Sequence, residues 1–165
     1  MPELAPKARL QPSLLDRLLD DEPGAVQESR DRRVLSLPQL RTAVLRDLIW
    51  LLNTSCQSPA DLDGLREVER SVLNYGVPSL AGRMLSGLKV LEIEQAITRA
   101  IERYEPRILA RSLRVHVVAE QATNRPNQLV MEIEGDLWAQ PLPESLYIRT
   151  AVDLETGHFT LEERR

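Results

Sequence analysis

The stretch at 100–115, AIERYEPRILARSLRV, carries the change of hydrophobic period that decides the fold. Before it, Val90, Ile93, Ile97, Ile101 and Tyr104 recur at three- and four-residue spacing, with Ala96 and Ala100 beside them. That is the stripe of a helix packed on one face. Pro106 has no N–H to donate and pushes the residue before it out of the helical region, so the helix must end near Glu105. Beyond it the period becomes two. Leu113, Val115 and Val117 alternate with Arg114 and His116, and Leu129, Met131 and Ile133 with Glu132 and Glu134. Leu146, Ile148, Thr150 and Val152 alternate with Tyr147, Arg149 and Asp153, and Phe159 and Leu161 with His158, Thr160 and Glu162. Four such runs predict antiparallel strands with one wet face, the last two joined by a hairpin at LETGH with Gly157 in its turn.

Upstream, SLPQLRTAVLRDLIWLLNTS at 36–55 predicts a second long helix. Ser36 and Gln39 make a capping-box pair, Pro38 fits the first turn, and Leu37, Leu40, Val44, Leu48 and Leu51 form the stripe. Leu62, Leu65, Val68 and Val72 permit another turn or two, before Gly76, Pro78, Gly82 and Gly87 break the chain into loops. The fold class expected is therefore α+β: a small antiparallel sheet packed on two main helices, with a helical amino-terminal arm. We expect the arm at 1–35, with a short Ser13-capped helix at 13–20 and the charged linker QESRDRR, and a single domain at 36–165. A two-turn apolar helix is not stable alone, so the arm helix must dock on its own domain or on a partner.

The 165 residues carry 42% hydrophobic and 28% charged side chains and a formal net charge of -4, which argues against nucleic acid as the main partner. One cysteine, Cys56, excludes an intrachain disulfide framework, and no apolar run is long enough for direct membrane insertion. The start MPELAPKARLQP lacks a secretory core, so a cytoplasmic location is expected. His116 and His158 fall at outward strand positions with no ligand spacing around them, so neither metal nor other cofactor is implied. The glycines of YGVPSLAGRMLSG lack the Lys-Ser or Lys-Thr end of a phosphate loop and read as a turn-rich connection. A glycan hydrolase needs two suitably placed carboxylates, which 25 acids can always supply on paper. Its usual aromatic platforms are scarce, and Trp50, Tyr104 and Phe159 stand at expected core positions.

Five blocks in order complete the sequence reading. RLQPSLLDRLLDDEP at 9–23, LRDLIWLLNT at 45–54, SVLNYGVPSL at 71–80, YEPRI at 104–108 and VDLETGHF at 152–159 resemble the TssE-type baseplate subunits of type VI secretion systems. These subunits are related to a wedge protein of contractile phage tails. The resemblance implies a non-catalytic structural subunit in a membrane-docked assembly, with baseplate partners of TssF, TssG and TssK type. It also implies that the sheet templates contractile sheath subunits of TssB and TssC type by strand pairing. The partner-binding residues expected on this basis are Glu105, Pro106 and Arg107, with two charges aimed at the wedge, and the edge residues His158, Phe159, Thr160, Leu161 and Glu162. The alternatives are a lysozyme-like glycan hydrolase, a label the family has carried, and a free-standing adaptor of the same fold.

Overall fold

The computed structural model describes Ser13, Asp16, Leu18 and residues 36–57, 61–83, 89–118, 127–139 and 142–163. Helix α1, Leu37–Leu52, starts on the expected capping box: the Ser36 side chain accepts from the Gln39 backbone and the Gln39 side chain accepts from the Ser36 backbone. Leu40, Val44, Leu48 and Leu51 are buried along it, whereas Leu37 is exposed in the first turn. A single turn, α2 (Arg66–Glu69), and a 3-10 turn at Val72–Asn74 follow. The apolar residues there do not form a buried stripe: Leu65 and Val72 face outward. Helix α3, Val90–Tyr104, buries Ile93, Ile97, Ala100 and Ile101. It stops at Glu105, whose φ of -125° and ψ of 73° lie outside the helical region, as the following proline demands.

Strands β1 (Arg114–Val118), β2 (Gln128–Leu137), β3 (Glu144–Asp153) and β4 (Phe159–Glu163) form one antiparallel sheet in the order β1-β2-β3-β4. The fold is thus α+β, with both long helices packed on one face of the sheet. The inward residues are those the alternation selects: Val115, Met131, Ile133, Leu146, Ile148, Val152 and Phe159 join the helix stripes in one core. At the β3–β4 turn the Asp153 carboxylate accepts from the Glu155 and Thr156 backbones, and Gly157, at φ 75°, closes the turn by donating to the Asp153 carbonyl. Of the expected aromatic core, Phe159 is buried and Tyr104 half-buried, but Trp50 is 46% exposed. It lies off the α1 stripe, where the Arg46 guanidinium stacks 5.0 Å from its ring centre.

Ser13, Asp16 and Leu18 are the described residues of the arm. Asp16 and Leu18 are helical, and Ser13 caps them by accepting from the Asp16 backbone at 3.2 Å. The remainder of the expected 13–20 helix, the charged linker and the boundary at 35/36 lie outside the described residues. No described helix is long and apolar enough to cross a membrane.

Candidate functional site: a charge-locked loop and an open sheet edge

The Glu105–Pro106–Arg107 loop is held from two sides. Its backbone is pinned to the end of β2, where Leu109 donates to the Asp136 carbonyl and Trp138 donates to the Arg107 carbonyl. Gly135 permits this approach, since a Cβ there would stand 2.9 Å from the Ile108 side chain. Its side chains are held by α1. Arg107 donates through Nε to Glu105 Oε1 at 2.6 Å and through Nη2 to both Glu105 Oε2 and Asp47 Oδ2. The Arg107 backbone N–H adds a fourth bond, to Glu105 Oε1. Asp47 in turn accepts from Arg46, and Arg46 Nη1 reaches Asp16 of the arm at 2.6 Å. Five alternating charges therefore run Glu105–Arg107–Asp47–Arg46–Asp16 from the loop through α1 to the arm.

The two charges expected to face a partner are, within the chain, paired with each other, Arg107 also with Asp47. Glu105 is 3% exposed and spends both oxygens on Arg107, whose side chain is 21% exposed. A carboxylate so deeply buried is stable only when paired, and the arginine two residues on supplies the matching planar fork. Burial opposes the charge on Arg107, but the hydrogen bonds and charges of Glu105 and then Asp47 outweigh it, so the guanidinium is held more firmly protonated than usual. Its Nη1 is buried without a hydrogen-bond partner among the described residues. Pro106 stands exposed between the two charges. Asp47, Arg46 and Asp16 were missed as site residues. The signal was present for Asp47: it lies three residues after Val44 and four before Leu51, an acid on a stripe that the core buries.

The turn-rich block at 71–80 braces the same corner. The Tyr104 hydroxyl donates to the Ser71 carbonyl at 2.9 Å, and its ring meets Tyr75 edge to face at 5.0 Å. Buried Asn74 accepts from the Gln57 backbone at 2.8 Å and donates to the Glu69 carbonyl at 3.4 Å.

The sheet has two edges, and they differ. At β1 the Glu94 carboxylate of α3 accepts from the outward Val117 N–H at 2.8 Å. At β4, Asp153 donates to the His158 carbonyl, which sets the alternation: 158, 160 and 162 turn their backbone groups toward β3, and 159, 161 and 163 turn theirs outward. The Asn53 side chain, at the end of α1, takes both outward groups of Phe159, accepting from its N–H at 2.9 Å and donating to its carbonyl at 3.1 Å. Of the expected edge, then, His158 and Phe159 have their backbone groups engaged and the Phe159 ring is in the core. Thr160 pairs with β3 and its exposed hydroxyl bonds to the Ala151 carbonyl. Glu162 pairs in register with Arg149. Leu161, half-buried, turns its N–H and C=O outward with no partner among the described residues.

The remaining chemistry candidates are quiet. His116 and His158 are exposed. Burial pushes the Cys56 thiol up, which disfavours the nucleophilic thiolate. Among the described residues no three His, Cys, Asp or Glu side chains converge on a metal position. An open groove of about 940 Å³ between the start of α1 and β2–β3 is lined by three acids. Glu134 and Glu144 there are exposed and Asp136 is half-buried.

The fold and these two features define an α+β domain built around a locked loop and a partly open edge strand. The chain belongs to the baseplate wedge protein gp25 family, whose family model matches residues 38–142. The match takes in α1 from Pro38 onward, Asn53 and the whole of the Glu105–Arg107 loop and stops before β3 and β4. Searches of curated proteins and of solved structures returned no match. Membership makes this a structural component of a contractile-machine baseplate that interacts with other baseplate proteins.

Proposed function

We propose that the chain is a non-catalytic wedge subunit of the type VI secretion branch of the family. In this reading it works in the cytoplasm within a membrane-docked assembly, binds baseplate subunits of TssF, TssG and TssK type, and offers β4 as the first template for sheath subunits of TssB and TssC type. The observation that carries the reading is the outward backbone of Leu161 on an edge strand, without a partner among the described residues, because such a position accepts an added strand from another chain. Glu105 and Arg107 serve the wedge contact indirectly: their pairing fixes the loop so that exposed Pro106 meets the partner in one geometry.

The experiment is Leu161→Pro. Its N–H makes no bond within the sheet, and proline is tolerated on such an edge, so the fold survives while the template position is lost. Retained circular dichroism with no sheath assembly in cells is the expected result. Normal sheath assembly by the folded variant refutes the templating role.

A further inference from the structure

We propose that Asn53 is a register stop on the β4 edge: it occupies the strand-pairing position of Phe159, so that an extended segment from a sheath subunit pairs from Leu161 outward and no further. The inference rests on the templating reading and deepens it. A carboxamide presents an N–H donor beside an acceptor oxygen, as the backbone of an added strand residue does. Here one N–H and the oxygen are both spent on one residue, Phe159, as a neighbouring strand would spend them. Asn53 is itself anchored: its backbone and its side chain both donate to the Ile49 carbonyl. An incoming strand that slid one pair further would have to break these bonds before making its own.

The surroundings fix what the allowed register meets. Arg41, near the start of α1, reaches the Ser145 carbonyl at the start of β3, and Asn53, at the helix end, reaches Phe159, the partner of Val152 near the end of β3. The helix therefore runs against β4 in the opposite sense. Four residues back from Asn53 is about 6 Å along the helix, and two residues on from Phe159 is about 6.6 Å along the strand. Ile49, 40% exposed, thus comes level with half-buried Leu161 on the core side. The segment that fits is extended, ends or bends away at Asn53, and places an apolar, preferably β-branched, residue beside Leu161 and Ile49.

The test reads backbone and side-chain amides by NMR hydrogen exchange, using the full chain alone and bound to the sheath subunits of the same system. In the free chain the Phe159 amide is protected and the Leu161 amide is not. Asn53→Ala speeds Phe159 exchange by about ten-fold, the value of one lost hydrogen bond, while Asn53→Asp, which keeps the acceptor, preserves much of the protection. Unchanged Phe159 exchange in Asn53→Ala overturns the proposal. In the complex, Leu161 becomes protected and the Asn53 side-chain amide signals stay in place. Protection of Leu161 with displaced Asn53 signals overturns the register stop alone. Failure of Leu161 to gain protection, or of a complex to form, overturns strand pairing itself and the stop with it.

Discussion

Replacing Glu105 by alanine leaves the Arg107 guanidinium half-buried with Asp47 as its remaining carboxylate, and removes three side-chain-mediated bonds: from Nε, from Nη2 and from the backbone N–H. A solvated surface pair would make this nearly silent, at less than about 1 kcal/mol. A buried pair broken on one side costs about 3–5 kcal/mol. Asp47 and the 21% exposure of Arg107 soften the loss, so Glu105→Ala belongs at about 3 kcal/mol. The reverse change is worse. Arg107→Met strands a carboxylate that is 3% exposed, at about 5 kcal/mol. The combined Glu105→Ala/Arg107→Met variant leaves no buried charge from the pair and costs less than the two singles together, with a coupling of about 2–3 kcal/mol, within the range of contacting residues. Urea titrations of wild type, both singles and the double provide the cycle, with the midpoint carrying stability and the slope checking that the transition remains all-or-none. Single costs below about 1 kcal/mol, or costs that simply add, would refute the lock and restore the picture of two charges free to grip a partner.

Gly76 sits at φ 127° with a Cβ position 2.3 Å from the Thr54 carbonyl oxygen, so Gly76→Ala strains the backbone and breaks the Val77-to-Thr54 backbone hydrogen bond; thermal melts should show a loss of at least about 3 kcal/mol, against about 1–2 kcal/mol for Gly64→Ala, whose added Cβ meets nothing and which carries only the cost of its positive φ of 77°. Burial alone would raise the Asp16 carboxyl, but the bonds from Arg46 and Ser13 and the Arg46 charge outweigh it and hold it below its ordinary 3.8. Its contribution is therefore present above about pH 4 and lost as the pH falls through the lower folded value; the stability gap between wild type and Asp16→Asn, measured against pH, should close in that acid window, and a gap that persists there would contradict the Arg46 pairing.

The helices and strands were legible because each carries its period cleanly: Ile93, Ile97 and Ile101 at helical spacing, Met131 and Ile133 at strand spacing, and Pro106 between the two regimes. The α+β class followed from that order. The sheet order was less determined, since four amphipathic strands permit several orders and only the short β3–β4 turn fixes one neighbour from sequence. The loop between the regimes was legible in position, but its pairing with Asp47 was not. Glu105 and Arg107 look like any exposed pair until Asp47 arrives from 58 residues upstream of Glu105, and long-range pairing leaves no periodic trace. The same holds for the edge. Alternation identified the residues of β4, but which of them turns its backbone outward depends on the hairpin register, and Asn53 reads in sequence as an ordinary helix end.

The measurement that bears most directly on the account is an affinity pull-down of the tagged chain from its native cells, with co-purifying proteins identified by mass spectrometry. Baseplate and sheath subunits recovered together, with sheath lost selectively from Leu161→Pro, is the result expected. A prey list free of both would contradict the assembly role and return the domain to the adaptor and hydrolase readings.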